Sequence, residues 1–200
     1  MTTQRTIQIF LGFTALTVLV LGLVLANSDD RNTENLGGVD GVLGGEFTLH
    51  HAKGSASLSD FKGQVVVLYF GFLNCPEVCP TSMSMITKAL NKLDAEELEQ
   101  VQPILVSIDP ERDSYDQIKE FTAYFHPQIL GVTGSRDEID LVASEYGAFN
   151  EVIDSTTDGS DYEFRHSSRY YVVDQNGELV DAMRHSTTAN ELVARIRTLI

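Results

Sequence analysis

Hydrophobic and polar positions divide the chain into three stretches. Residues 7–26 carry no charge, and as a helix rising 1.5 Å per residue they would cover about 30 Å, the hydrocarbon thickness of a bilayer. Residues 27–45 are polar and rich in glycine, a composition typical of linkers. We therefore predict a short N-terminus at 1–6, a transmembrane anchor at 7–26, a flexible linker at 27–45 and a globular domain at 46–200.

Charges on either side of the apolar segment predict its orientation. Arg5 precedes it, whereas Asp29 and Asp30 follow it directly. Because basic residues stay on the cytoplasmic side, the N-terminus is expected in the cytoplasm and the domain outside. A cleaved signal peptide is the alternative, since Val24 and Ala26 could form a small-residue cleavage site.

Within the globular region, short apolar runs alternate with helical patterns. Val65–Phe70 is a continuous apolar run, typical of a central strand buried on both faces. Further strands or hairpin arms are predicted at 47–58, 101–108, 129–132, 149–153, 169–173 and 178–183, and residues 154–161 are predicted to be a polar loop. Helices are predicted from Pro80 and from the capping pairs Ser114/Gln117, Ser135/Glu138 and Thr188/Glu191. This order predicts an α/β, thioredoxin-like fold: a mixed sheet flanked by helices, with the N-terminal transmembrane helix added.

The segment after the first central strand, residues 71–80, holds both cysteines of the chain, Cys75 and Cys79, and each precedes a proline. A residue before proline avoids the helical region, so residues 75–79 are predicted to form a bent loop, with Pro80 at the first helical position. Both sulfurs would then lie near a helix N-terminus, where the partial positive charge favours thiolate. The alternative is that both cysteines are buried and act only as small apolar residues.

Composition narrows the possible roles of this segment. The net charge of −15 argues against a nucleic-acid partner, because such binding depends on basic patches. A bridge between two cysteines this close in sequence would add only about 2 kcal/mol to stability. A functional pair is therefore the better interpretation, either as metal ligands or as a redox pair.

One histidine is placed to complete a metal site. His166 lies in residues 164–169, a predicted loop at the start of the strand that enters the last hairpin. In a thioredoxin-type fold that loop lies beside the active thiols. Cys75, Cys79 and His166 would give two soft sulfur ligands and one imidazole, a set that suits Cu(I), or Cu(II) with an added oxygen ligand. The remaining histidines are predicted to be surface or helix-capping residues: His50, His51, His126 and His185.

Two other groups near the cysteines are given structural roles. Met83 and Met85 follow the cysteine segment, and core packing is favoured over thioether ligation of copper. Asp109, Arg112 and Asp113 follow a predicted strand and are interpreted mainly as a loop-ordering charge cluster, with partner contact as the lesser alternative.

Several segments, taken together, resemble the SCO/SenC family of copper-binding proteins, which assist assembly of cytochrome c oxidase. They run in order through most of residues 46–200: 58–63, 69–72, 75–80, 106–113, 125–127, 131–134, and His166 before 170–174. The resemblance implies copper ligation by Cys75, Cys79 and His166. It also implies an anchored domain facing the periplasm from the inner (cytoplasmic) membrane, or facing the intermembrane space from the mitochondrial inner membrane in a eukaryote. Leu73 and Thr81–Ser82 depart from the pattern of many relatives but remove no ligand.

The resemblance further implies a function and a partner. The chain would deliver copper to the dinuclear copper centre of cytochrome c oxidase subunit II, or act with its assembly factors. Alternatively it would reduce the cysteines of that centre as a thiol-disulfide oxidoreductase through Cys75 and Cys79. Three residues separate these thiols where thioredoxins have two, and no proline directly precedes Tyr170 or Tyr171, which both count against general dithiol exchange.

Overall fold

The structure is a computed structural model that describes residues 43–154 and 162–200. The predicted cytoplasmic N-terminus and transmembrane anchor, nearly all of the predicted linker and most of the polar loop at 154–161 lie outside the described residues. Within the described ranges, no helix combines the length and the apolar character needed to cross a bilayer.

A five-stranded mixed sheet forms the centre of the domain. The strands of the described part are β1 Thr48–His51, β2 Gly54–Ser57, β3 Val65–Gly71, β4 Val101–Ser107, β5 Leu130–Val132, β6 Asn150–Asp154, β7 Tyr162–His166, β8 Arg169–Val173 and β9 Leu179–Arg184. The order in the sheet is β5-β4-β3-β8-β9, with β3, β4 and β5 parallel and with β8 and β9 each antiparallel to its preceding neighbour. Every residue of β3 is buried, which confirms the predicted central strand.

Helices flank this sheet, and four of the five α-helices in the described part begin at a capping box. They are α1 Val78–Leu90, α2 Ala95–Glu99, α3 Tyr115–Phe125, α4 Arg136–Glu145 and α5 Ala189–Arg197. Each of the three predicted capping boxes is present, with the Ser114, Ser135 and Thr188 side chains accepting from the third helical amide. The predicted mixed sheet with flanking helices is thus confirmed. The short helix α2, whose capping box is formed by Asp94 and Glu97, was not predicted.

Helix α1 begins earlier than the sequence indicated. The prediction put Pro80 at the first helical position, but the helix starts at Val78, so that Pro80 is the third helical residue. Proline is tolerated there because the first-turn amides have no acceptor within the helix. The carbonyl four residues back belongs to Pro76, which lies before the helix and need not be displaced.

Strand β7 was not predicted, and its last residues, 164–166, were assigned to a loop; that assignment was wrong. Residues Tyr162–His166 pair antiparallel with β6 in a separate two-stranded ribbon, where His166 lies opposite Asn150. The strand lacks a continuous apolar run because only one of its faces packs on the domain, so its sequence carries a weak strand signal. The predicted hairpin between β8 and β9 is confirmed.

Candidate metal centre

The two cysteines lie where the central strand passes into helix α1. Cys75 follows the end of β3, and Cys79 lies in the first turn of the helix. The Cys79 backbone N–H donates to Cys75 Sγ at 3.3 Å, as expected for a sulfur at a helix N-terminus. Both are buried, Cys79 completely and Cys75 with 8% of its surface exposed. Cys75 is therefore the sulfur nearer to solvent.

The described structure brings His166 to these sulfurs, although it is 87 residues from Cys79 in sequence. Its Nδ1–H donates to the Ser167 carbonyl oxygen at 3.1 Å, so Nε2 carries the free lone pair. Nε2 lies 3.8 Å from Cys79 Sγ. The ligand atoms of Cys75, Cys79 and His166 all lie within 4.8 Å of one another, and no other such group is found in residues 43–154 and 162–200.

Aromatic rings surround the imidazole. Tyr69 and Phe72 each meet the His166 ring edge-on, with centroids 6.4 and 5.6 Å away. Phe164 packs against Phe72 at 5.2 Å. The Tyr69 hydroxyl also points to Cys79 Sγ at 3.9 Å. These contacts fix the orientation of the imidazole and limit access of water to the sulfurs.

The pKa values of the two thiols are shifted in opposite directions. The hydrogen bond from the Cys79 side chain, with further ones from the backbone N–H groups of Cys79 and Glu77 at the helix N-terminus, holds the pKa of Cys75 well below its ordinary value. The hydrogen bond to Cys75 and burial raise the pKa of Cys79. These shifts favour a thiolate at Cys75 and a thiol at Cys79 in the metal-free pair, and a metal bound by both sulfurs would displace the proton of Cys79.

The donor set defines which metals fit. Two sulfurs and one imidazole nitrogen favour soft cations, and Cu(I) accepts such a three-ligand site. Structural zinc in proteins is almost always held by four ligands. The group formed by Cys75, Cys79 and His166 is therefore suited to copper.

Three residues that shape this site could not be assigned to it from the sequence, although one of them, Asp113, was interpreted as a loop-ordering charge. Asp113 Oδ2 accepts the Leu73 backbone N–H at 3.0 Å and so holds the segment leading to Cys75. Gly71 lies so close to Cys79 Sγ that a Cβ there would be 3.0 Å from it. Tyr69 contacts both Cys79 and His166. The available signals were an acidic residue just after β4 and a glycine ending a β-strand beside the cysteines.

The other predicted residues lie elsewhere. His126 is the C-cap of α3, as predicted, and Met83 is fully buried in the core. His185 was predicted to be a surface residue, but it is only partly exposed, and its Nδ1 lies 3.1 Å from the buried Ser82 Oγ. This contact joins the residue that follows β9 to helix α1. His50 lies 3.8 Å from Glu138, away from the cysteines.

The charge cluster after β4 is also present. Asp109 is fully buried and accepts Arg112 Nε at 2.5 Å. Asp113 is 3% exposed and accepts the Ser107 hydroxyl at 2.6 Å. The predicted loop-ordering role of these charges is confirmed.

Comparison with known proteins agrees with this geometry. Residues 38–200 match the family described as SCO1/SenC. The mitochondrial protein SCO2 of Saccharomyces cerevisiae is 33% identical over 160 residues, which are 80% of this chain and 53% of that protein. The SCO2-like protein RC0895 of Rickettsia conorii is 31% identical over 78% of this chain and 76% of its own length. The chain thus spans about half the length of the yeast relative.

Solved structures show the same fold. Copper-bound ScoI of Bradyrhizobium japonicum superimposes with a TM-score of 0.72 at 28% identity, over 80% of this chain and 100% of that one. Copper-bound yeast Sco1 superimposes with a TM-score of 0.71 at 33% identity, over 79% of this chain and 88% of that one. With a family match over most of its length and a shared thioredoxin-like fold, the chain belongs to the SCO1/SenC family.

Proposed function

We propose that this protein is a copper metallochaperone that binds one copper ion through Cys75, Cys79 and His166. It delivers the ion during assembly of the dinuclear copper centre of cytochrome c oxidase subunit II, acting on that subunit or with its assembly factors. The observation that carries the proposal is the convergence of these three ligand atoms within 4.8 Å. The copper-bound relatives of the same fold support it.

The placement of the ligands suits a site that both holds and releases its ion. Cys79 is fully buried at the helix N-terminus, whereas Cys75 and His166 are nearer to solvent. A three-ligand site leaves room for a ligand from the acceptor to add before one of the original ligands leaves. Exchange would therefore begin on the side of Cys75 and His166.

Titration with Cu(I) against a competing chelator tests the site. The reduced full-length chain in detergent is expected to bind one Cu(I), and Cys75→Ser, Cys79→Ser or His166→Ala is expected to weaken binding by roughly tenfold or more. His185→Ala is the matched control, because His185 lies outside the ligand group. Binding by the His166→Ala variant as tight as by the wild type would contradict the three-ligand site.

Reduction of disulfides is a second candidate function, favoured by the asymmetry of the two thiols. The Cys75 thiolate would attack a substrate disulfide and release one substrate thiolate, and Cys79 would then attack the mixed disulfide and release the second. Two electrons pass to the substrate, and Cys75 and Cys79 are left joined. The test uses a disulfide-bonded peptide that contains the cysteines of the copper centre. If the His166→Ala variant reduces one equivalent of this peptide at the wild-type rate, the result favours disulfide reduction over copper delivery.

The domain arrangement and location belong to the same proposal. Residues 1–6 lie in the cytoplasm, 7–26 cross the inner (cytoplasmic) membrane once, 27–45 form a linker and 46–200 face the periplasm, or the intermembrane space in a eukaryote. The full chain is then expected to stay with membranes after carbonate washing. Release of the chain into the soluble fraction would contradict the anchor and favour a cleaved signal.

A further inference from the structure

The loop after β4 contacts both segments that carry the metal ligands. On one side, Asp113 accepts the backbone N–H of Leu73, two residues before Cys75. On the other side, Asp109 and Arg112 contact Tyr162, the first residue of the strand that ends at His166. A single short loop therefore touches the cysteine segment and the histidine strand.

The contacts at Tyr162 are close and mutually supporting. The Tyr162 hydroxyl donates to Asp109 Oδ1 at 2.7 Å, and Arg112 Nη1 donates to the Tyr162 carbonyl at 2.9 Å. The Arg112 guanidinium also lies 3.8 Å from the centre of the Tyr162 ring, within range of a cation–π interaction. Asp109 is fully buried and holds Arg112 by an ion pair. We call Asp109, Arg112 and Tyr162 the Arg112 cluster.

The ribbon that presents His166 stands apart from the main sheet, and its other attachments are side-chain contacts such as Asn150 with Asp140 and Phe164 with Arg136. It consists of β6 and β7 alone and is not part of the five-stranded sheet. Val152 and Ile153 on β6 are 47% and 39% exposed, so this strand buries little apolar surface. Because an isolated two-stranded ribbon is at best marginally stable in water, its position depends on contacts with the rest of the domain.

Alternation along β7 transmits the position of Tyr162 to His166. Side chains at alternate positions of a strand lie on one face, so Tyr162, Phe164 and His166 all face the domain. Tyr162 packs on Phe164, with ring centroids 5.6 Å apart, and Phe164 packs on Phe72, which in turn contacts His166. Moving Tyr162 would thus shift the whole face that carries the imidazole.

We propose that Arg112 is a positioning residue of the metal site: through Tyr162 it holds the β6–β7 ribbon so that His166 stays beside Cys75 and Cys79. This inference rests on the proposed three-ligand site. Arg112 acts only through His166, whereas Asp113 acts on the cysteine segment.

A double-mutant cycle tests that route in the full-length chain. Arg112→Met is expected to weaken Cu(I) binding roughly tenfold in the wild-type background and less than about twofold in the His166→Ala background, because it acts through the histidine. Tyr162→Leu leaves the Arg112–Asp109 ion pair in place and is expected to give the same pattern. Arg112→Met leaves Asp109 buried without its partner and could therefore fail to fold. In that case Tyr162→Leu still tests the proposal.

The matched control is Arg165→Met. Arg165 lies on the same strand, directly beside His166, but its side chain is 64% exposed and pairs with Glu151 on the surface. Its removal is expected to change Cu(I) affinity less than about twofold, because exposed ion pairs contribute little. If Arg165→Met and Arg112→Met lower the affinity for Cu(I) equally, the effect is a general one of charge and the proposal is overturned.

A measurement without metal separates this inference from the function itself. In the metal-free chain, backbone amides of β6 and β7 are expected to exchange with deuterium at least about tenfold faster in Arg112→Met or Tyr162→Leu than in the wild type, while amides of β3 and β4 keep their rates. If His166→Ala binds Cu(I) normally, the three-ligand site fails, but the exchange rates still test the ribbon. Unchanged exchange in both variants, or equal affinity losses in both histidine backgrounds, would overturn the positioning role.

Discussion

Gly71 determines how closely Cys79 can lie to the end of the central strand. A Cβ at this position would lie 3.0 Å from Cys79 Sγ and 2.9 Å from Tyr69 Cε1. Neither side chain has free space to move into, because both are fully buried. The absence of a side chain at Gly71 is therefore part of the geometry of the site.

Gly71→Ala is expected to lower the free energy of unfolding by about 1–3 kcal/mol, the usual cost of overpacking. It should also weaken Cu(I) binding, since the Cys79 sulfur must shift. Denaturant unfolding of the metal-free chain and chelator competition measure the two effects. Gly45→Ala is the control, because a Cβ there would meet its nearest neighbour, Glu145 Oε2, at an ordinary 3.6 Å. Equal effects from the two substitutions would contradict the role given to Gly71.

The proton affinity of Cys75 gives a second prediction for single residues. Because its pKa is lowered, Cys75 is already a thiolate at neutral pH, and raising the pH creates little more of the reactive form. The rate at which iodoacetamide modifies Cys75 in the reduced, metal-free chain should therefore rise far less than the roughly hundredfold expected between pH 6 and 8 for a thiol of ordinary pKa. Peptide mapping follows each cysteine, and Cys75→Ser is the control. A tenfold rise per pH unit, or faster modification of Cys79, would contradict this assignment.

Secondary-structure elements differ in how far their own sequence determines them. The capping boxes at Ser114, Ser135 and Thr188 are local signals, and each is followed by the helix it predicts. Strand β3 was equally clear, because burial on both faces leaves an unbroken apolar run. These signals were sufficient to predict most of the α/β order.

Strand β6 was predicted at 149–153, but strand β7 and its pairing with β6 could not be predicted in the same way. The strand that ends at His166 is held by pairing with β6 and by packing of Tyr162 and Phe164 on residues distant in sequence. No local pattern carries that information. The grouping of His166 with the cysteines came instead from the expected fold and from resemblance to a family, and the structure supplies the physical reason for it.

Ser135→Ala tests a capping signal at the level of one helix. Ser135 Oγ accepts the Glu138 backbone N–H at the start of α4, and loss of such a cap is expected to cost about 1 kcal/mol in unfolding free energy. Ser144→Ala lies in the same helix, where its hydroxyl donates only to the Leu141 carbonyl, and should change stability by less than about 0.5 kcal/mol. Urea unfolding of both variants measures the difference. If Ser144→Ala lowers the unfolding free energy more than Ser135→Ala does, other contacts of the helix contribute more to its stability than the cap.

Across the whole domain, the proposed ligand set brings together parts of the fold that are distant in the chain. Cys75 and Cys79 follow β3, His166 ends the ribbon, and β3 pairs with β8 directly after it. An ion bound to all three ligands exists only in the folded state, so its binding free energy adds to the stability of the whole domain.

Loading with Cu(I) is therefore expected to raise the unfolding temperature. Free ligand at 100 times its dissociation constant adds about 2.7 kcal/mol, which corresponds to roughly 5–11 °C for a domain of this size. Differential scanning calorimetry measures the shift, and removal of the ion by a Cu(I) chelator should reverse it. At the same free Cu(I) concentration, the shift should be much smaller in His166→Ala. An equal shift in that variant would show that the ion does not join the two segments.

The pairing of β3 with β8 also has a consequence for the time at which the site can exist. Leu68 pairs with Tyr171, more than a hundred residues later in the chain. A ribosome makes both cysteines long before it makes His166 or the strand that follows it. A nascent chain therefore offers two bare thiols without the imidazole, and the three groups can come together only after the strand that follows His166 has been made and has paired with β3.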